Sequence, residues 1–218
     1  MRLVVFDIDG TLVDSQDTIV AAQTEAFASQ GLTPPSRERA LGVVGLSLPE
    51  AFTALVGPQG PVLALAEAYK QAFRRLVDDP KHRDPLFPGM GDLVADLAAR
   101  PGLRLGLATG KSRRGVARLE RQQGWSRLFA TIQTADDAPS KPDPTMLHRA
   151  MAETGATPHD TVMIGDTTFD IAMAQTAGIH AVAVAWGYHR PDALAQAGAE
   201  VVVKSARELR SHLMQLGF

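Results

Sequence analysis

Cysteine is absent from the 218 residues. A disulfide framework, a thiol nucleophile and a cysteine-based zinc site are therefore excluded. Long apolar runs are missing as well: no window approaches the roughly 18 uninterrupted apolar residues of a membrane span. Near the N-terminus Asp7 interrupts the only apolar run, so the basic-then-apolar pattern of a secretory signal does not form. Neither sign of charge dominates, since 22 Lys and Arg stand against 24 Asp and Glu for a formal net charge of -2. That balance offers no electrostatic attraction to nucleic acid or to an anionic membrane. Internal repeats and low-complexity tracts are also lacking. These absences set the expectation of a cytoplasmic soluble protein with no nucleic-acid or membrane partner. A hydrophobic content of 45% with 21% charged residues suits that class. The length allows one α/β domain, or a core with a small accessory unit.

What is present begins with Arg2-Leu3-Val4-Val5-Phe6-Asp7-Ile8-Asp9-Gly10-Thr11-Leu12-Val13-Asp14-Ser15. The apolar, β-branched start reads as a buried strand. It stops at two aspartates and a Gly-Thr turn. Residues two apart in extended backbone face one side, so Asp7 and Asp9 are expected to address a common point. Two carboxylates about 4 Å apart repel by roughly 4 kcal/mol at an effective dielectric near 20, which asks for a cation. Hard oxygen ligands suit Mg²⁺, which takes one or two carboxylates together with substrate phosphate. An isolated Asp-x-Asp also serves as ordinary turn or capping chemistry.

Ser15 to Gln30 reads as a helix, with Ser15 as its cap, an apolar stripe of Ile19, Ala22, Ala26 and Phe27, and Gly31 closing it. Short helices are expected from Pro34-Pro35-Ser36 to Leu41 and from Ser47 to about Val56, and a longer one from Pro61 to Val77. This stretch shows no convincing strand. The polar, proline-rich connector 78–88 bounds it, so residues 16–86 are expected to form an all-helical cap inserted into a core of 1–15 and 87–218. From Gly89 onward helices alternate with strands: Leu103–Thr109, Thr131–Thr134, Thr161–Ile164, His180–Ala185 and a short edge strand Val201–Val203. The expected helices between and after them are Met90–Arg100, Ser112–Gln123, Pro144–Glu153, Thr167–Ala177, Pro191–Gln196 and Ala206–Leu216. The fold class is α/β, a doubly wound Rossmann-like parallel sheet whose crevice lies at the carboxyl ends of the strands.

Three further groups of residues sit at those ends. Thr109-Gly110-Lys111 closes the second strand and places a hydroxyl and backbone N–H groups where a phosphate oxygen can bind; a plain turn and helix cap fit equally well. Ser140-Lys141-Pro142-Asp143-Pro144 holds one lysine in a proline-stiffened loop before a helix. Gly165-Asp166-Thr167-Thr168-Phe169-Asp170 puts two acids one helical turn apart on one face, which alone is also favourable helix-dipole chemistry.

In this order, the four segments resemble the four motifs of the haloacid dehalogenase-like superfamily, more closely its phosphatase branch, over essentially the whole chain. The resemblance implies Asp7 as nucleophile and Asp9 as general acid/base. Thr109 and Gly110 then bind phosphate, and Lys141 neutralises phosphate and nucleophile. Gly110 departs from close relatives, which often carry Asn there. Mg²⁺ is the implied cofactor, with Asp7, Asp9 through its backbone carbonyl, and Asp166 as ligands. Asp170 is either a further ligand or the partner of Lys141. An acid at Asp9 points to phosphoester chemistry rather than dehalogenation. The helical insertion takes the place of the family's cap, with Arg37, Arg39, Gly45, Ser47, Lys70 and Arg74 as candidate substrate contacts. Val44-Gly45-Leu46-Ser47-Leu48-Pro49-Glu50 and Trp186-Gly187-Tyr188 look most like phosphoglycolate phosphatase-type members. The expected substrate is a small phosphorylated metabolite, handled by a monomer or weak homodimer. Other readings are a pyrophosphatase or nucleotidase of the same branch, a β-phosphoglucomutase-like isomerase, which Ile19 in place of a histidine disfavours, and a non-enzymatic phospho-acceptor domain. His148, His159, His189 and His212 lack metal-ligand spacing and read as structural or surface residues.

Overall fold

The computed structural model describes residues 1–79 and 84–218. Its six strands are β1 (Arg2–Phe6), β2 (Leu103–Thr109), β3 (Thr131–Thr134), β4 (Thr161–Gly165), β5 (His180–Val184) and β6 (Val201–Val203). They form one sheet in the order β3-β2-β1-β4-β5-β6, every pair parallel. Four helices, α1 (Gln16–Ser29), α2 (Arg37–Leu41), α3 (Leu48–Val56) and α4 (Val62–Leu76), lie between β1 and β2, followed by α5 (Met90–Ala98). The remaining helices are α6 (Arg113–Gln123), α7 (Thr145–Thr154), α8 (Thr168–Ala177), α9 (Pro191–Gln196) and α10 (Ala206–Gln215). Among the described residues no helix is long and apolar enough to cross a membrane.

Helices cover both faces of β1, which explains its unbroken apolar run. Val4 and Phe6 point into one core with Met90, Leu93 and Leu97 of α5 and Leu209 and Leu213 of α10. Leu3 and Val5 point into the other, with Met146 and Leu147 of α7 and Ile171 and Met173 of α8. The chain leaves β1 for one half of the sheet and later returns for the other, so strand order reverses between β1 and β4. Ligand crevices of open α/β sheets lie at such a reversal.

The four helices before β2 bury a small core of their own around Ala26, Phe27, Phe52, Leu65 and Ala66. Phe52 is central to it, with ring centroids 6.2 Å from Phe27 and 5.9 Å from Tyr69. The chain crosses into and out of this unit at adjacent points. Val13 and Leu86 form an antiparallel bridge, the Asp14 N–H donates to Pro85 O at 2.8 Å, and the Phe87 N–H donates to Leu12 O at 3.0 Å. Of the expected connector 78–88, residues 80–83 lie outside the described residues.

Helix ends differ from expectation by one or two residues. At α5 the last turn tightens, with the Arg100 N–H donating to Leu97 O, so regular helix ends at Ala98. Ser15 differs more: it precedes α1 but makes no side-chain cap bond, because its hydroxyl is committed to Asp9.

Truncating Phe52 to Ala removes the ring that joins α1, α3 and α4. A loss of about 3–5 kcal/mol in the stability of the helical unit is expected, measured as a shift of the urea midpoint followed by α-helical circular dichroism.

Candidate functional site

Sheet register brings the motif residues together. Phe6 stands level with Leu107 on one side and Ile164 on the other, so Asp7, Thr109 and Asp166 emerge within two residues of one line. The Asp7 N–H donates to Ile164 O at 2.9 Å, which holds the residue at the seam after β1 ends. Lys141 arrives from the loop before α7 and is fully buried, its ammonium 2.9 Å from Asp7 Oδ1 and 2.6 Å from Asp170 Oδ1. Carboxylate oxygens of Asp7, Asp166 and Asp170 all lie within 4.8 Å of one another.

Each acid is held differently. Asp166 accepts from the Thr11 hydroxyl at 2.8 Å through Oδ1 and from the Tyr188 N–H at 2.9 Å through Oδ2. Backbone must approach it closely on two sides. A Cβ on Gly10 or on Gly187 would fall 2.2 Å from Asp166 atoms, and Gly10 also has φ +88°. Asp170 is spent on local bonds: Oδ1 faces Lys141, while Oδ2 accepts the Thr167 hydroxyl at 2.7 Å and the Thr167 N–H at 3.1 Å, closing a capping box at the start of α8. Asp7 has the ion pair with Lys141, yet neither of its buried oxygens has a donor in hydrogen-bonding geometry.

Burial is the main force on these groups. It pushes the Asp7 carboxyl up to about 6 against the pull of Lys141, with Asp170 and Asp9 adding repulsion. The Asp166 carboxyl is driven well above its usual range by burial and then by Asp170 and Asp7. Burial also opposes the Lys141 charge, but Asp170 and Asp7 outweigh it and hold the ammonium above its ordinary value. One ammonium does not neutralise three buried carboxylates. Oxygen-only donors, an orphaned Asp7 carboxylate and this surplus negative charge fit a divalent hard cation, for which Asp7 and Asp166 are the best-placed ligands and Asp170 is within reach.

Asp9 behaves otherwise than the alternation argument predicts. Regular strand ends at Phe6, so period-two geometry does not extend to Asp9, and its carboxylate stays out of the acidic group. Its Oδ1 instead accepts the Ser15 hydroxyl at 2.6 Å and the Lys111 ammonium at 2.8 Å. Ser15 in turn lies 3.2 Å from the Tyr188 hydroxyl through both its N–H and its Oγ. Thr109 is buried, and its hydroxyl oxygen accepts the Lys111 N–H at 3.2 Å, leaving its own proton to donate.

The helical unit roofs these residues. A Cβ on Gly110 would meet Leu46 O at 2.7 Å and Gly45 O at 2.8 Å, which explains the departure at that position: the loop before α3 occupies the space a side chain would need. Gly45 itself turns with φ +98° against Thr167, and the Ser47 N–H donates to Ser140 Oγ at 2.8 Å. A cavity of about 980 Å³ remains beneath, with Asp7 and Asp9 on its floor, Thr109 and Gly110 on one side and Gly45, Ser47, Lys70 and Arg74 among its walls. Arg37 is not among the residues lining it. Asp17 and Gln16 hold its guanidinium at 2.7 Å each, on the surface side of α1. Arg39 donates to Leu55 O at 3.1 Å and lines a separate cavity within the helical unit.

Sequence reasoning passed over Thr11, Ser15, Lys111, Thr167 and Tyr188 as site residues. Lys111 carried a usable signal, a cation two residues past Thr109 at the end of β2. The others are hydroxyl-bearing residues whose relevance appears only once distant strands meet. Of the histidines, His148 and His159 are exposed, whereas His189 Nδ1 accepts the Thr168 N–H at 3.1 Å and so helps fix the first turn of α8.

Residues 4–184 match the family described as haloacid dehalogenase-like hydrolase. Among curated proteins, the chain is 36% identical to the probable phosphatase IndB of Dickeya dadantii, over 95% of this chain and 91% of that one. It is 31% identical to phosphoglycolate phosphatase 1 of Pseudomonas aeruginosa, over 95% of this chain and 78% of that one. Among solved structures, a hydrolase from Pseudomonas syringae superposes with a TM-score of 0.84 at 26% identity, over 99% of each chain.

The raised Asp7 and Asp166 values give a sign for pH dependence without metal. Above about pH 4 each group holds, up to its raised folded value, a proton that it has lost when unfolded, so the contribution is whole below about pH 4 and is lost as pH rises through about 6 for Asp7 and higher still through the raised range of Asp166. In chelator, Asp166→Asn should therefore gain melting temperature relative to the parent as pH rises from 4 to 7. Added Mg²⁺ should raise the parent's melting temperature and leave the variant's nearly unmoved. Calorimetric scans across that pH range check both.

Proposed function

Because the chain belongs to the haloacid dehalogenase-like hydrolases, we propose that it is a Mg²⁺-dependent phosphomonoesterase acting through an aspartyl-phosphate on a small phosphorylated metabolite. One observation carries the reading: a buried carboxylate, Asp7, has no hydrogen-bond donor, lies 2.9 Å from a buried lysine, and stands on the floor of a roofed cavity.

Asp7 attacks phosphorus in line and releases the alcohol. Lys141 works against burial to favour the ionised Asp7 that a nucleophile must be, and faces the charge that builds on the phosphoryl oxygens. Asp170 fixes the lysine from behind, with Thr167 fixing Asp170. Thr109 donates its free hydroxyl proton to a phosphoryl oxygen, and the Gly110 backbone lies beside it. Asp9 protonates the leaving oxygen, then takes a proton from the water that hydrolyses the acyl phosphate. Asp7, Asp166 and the Asp9 backbone carbonyl would hold Mg²⁺, which would supply fixed positive charge against those oxygens. Residues 16–86 act as a cap on a core of 1–15 and 87–218, and its loop at Gly45 and Ser47 keeps bulk water from the acyl phosphate.

Phosphoglycolate-type acids are the first substrates to test, given the relative of that name and the cationic Lys70 and Arg74 on the cap wall. The width of the cavity and the further cations Arg114, Arg118 and Arg121 along it favour a second reading, a leaving group with a phosphate of its own, as in a nucleotidase or pyrophosphatase.

Phosphate release from phosphoglycolate, pyrophosphate, nucleoside monophosphates and sugar phosphates, measured with Mg²⁺ and with chelator, separates these readings. Asp7→Asn should lower kcat by more than about 10³-fold on every substrate while the chain stays folded by circular dichroism. Retained turnover in that variant eliminates the proposed nucleophile.

A further inference from the structure

Lys111 is a second interior cation whose surroundings are built around it. Its side chain is 9% exposed, and its ammonium lies 2.8 Å from Asp9 Oδ1. The Ser15 hydroxyl meets the same oxygen at 2.6 Å, so both bonds fall on Oδ1 and leave Oδ2 to exchange protons. Room for the lysine stem comes from Gly115. A Cβ there would fall 2.7 Å from Lys111 Cγ and 3.0 Å from Cδ. Glycine in the first turns of α6 is the worst helix former after proline, and clearance for this stem is what it provides. The far end is capped by the helical unit: the Phe73 ring of α4 has its centroid 5.2 Å from the Lys111 ammonium, within cation–π range. Arg118 of α6 lies 6.0 Å from the same ring and pairs with Asp84, on the chain's return from the helical unit, at 3.5 Å.

We propose that Lys111 is a positioning residue that orients the Asp9 carboxylate, and that Phe73 seats it, so that the acid/base group is in place only when α4 packs on the core. The inference rests on the phosphomonoesterase reading for the role of Asp9. It does not use Lys111 as a substrate contact, since its charge is already committed to Asp9. The ammonium joins a cap ring to a core carboxylate, and movement of α4 away from α6 frees the lysine and with it the Asp9 rotamer.

The test uses the full Mg²⁺-loaded chain with p-nitrophenyl phosphate, whose leaving group needs no acid, and with phosphoglycolate, whose leaving group does. In Lys111→Met, p-nitrophenol release in the first turnover should stay within about 3-fold of the parent. Later turnovers, which need Asp9 as base, should slow about 10–100-fold, and kcat on phosphoglycolate should fall at least as far with KM within about 3-fold. Phe73→Leu and Gly115→Ala should move the same quantities in the same direction by less. Unchanged turnover in Lys111→Met, or a raised KM with kcat intact, overturns the proposal. A crystal structure of Lys111→Met tests orientation without activity: Asp9 should leave its rotamer, and an unmoved carboxylate refutes the positioning role. If the parent shows no Asp7-dependent turnover, the phosphomonoesterase reading fails, while the crystal structure still decides the orientation.

Discussion

The structure turns on the burial of one lysine among three carboxylates. Lys141 is held between Asp7 and Asp170 with no exposure to water, and Asp166 adds a further negative charge within 4.8 Å of both acids. Burial alone would discharge the lysine, and Asp7 and Asp170 hold its charge in place, whereas Asp166 is repelled by both acids and rests on the Thr11 hydroxyl and the Tyr188 N–H. The surrounding fold is arranged to impose the cluster. Two parallel strands deliver Asp7 and Asp166, a loop delivers the lysine, and the first turn of α8 delivers Asp170. Gly165 makes the last step possible, because a Cβ there would overlap Asp170 at 2.3 Å. The stability that the packed sheet supplies on both faces sustains this local electrostatic strain, and the strain is the source of the site's appetite for a cation.

The helical unit is tied to the sheet by few but specific contacts. Its two crossings lie side by side, joined by the Val13–Leu86 bridge and by the Asp14–Pro85 and Phe87–Leu12 backbone bonds. Thr18 donates to Asp84 at 2.7 Å beside those crossings, and burial raises the Asp84 carboxyl while the Thr18 bond and nearby Lys111 lower it. On the far side, the loop at Gly45 and Leu46 presses carbonyl oxygens onto Gly110, and Ser47 reaches Ser140. The packing seen is thus a roofed state, with Asp7, Asp9 and Thr109 of the sheet side and Gly45, Ser47, Lys70 and Arg74 of the helical unit around one cavity. Lys111 touches both sides of it, through Asp9 and through Phe73.

Much of this architecture was legible in the residues. The continuous apolar run of Leu3 to Phe6 identified a strand covered on both faces, and Gly31, Gly124, Gly155 and Gly178 marked where helices stop. The positions of Asp7, Lys141, Asp166 and Asp170 followed from motif resemblance, and the sheet brings those four together. The misreadings share a cause. Local geometry reads Ser15 as a helix cap and turns the Asp7 and Asp9 side chains to one point, where in each case a long-range partner prevails. A hydroxyl 2.6 Å from a carboxylate outcompetes an N-cap bond, and strand periodicity holds no further than the strand. Arg37 failed to reach the cavity for a related reason: charge and chain position do not reveal that Asp17 is nearer.

The sequence by itself determined the element order, the two-sided core and the residue types at each strand end, since these depend on hydrophobic period, turn chemistry and local caps. Only the tertiary structure decided which acid pairs with which cation, which glycines are spaces for a neighbour, and that α4 carries Phe73 onto Lys111. Such pairings depend on distances between segments up to 175 residues apart, as between Thr11 and Trp186, and on desolvation that exists only after the chain has closed around them.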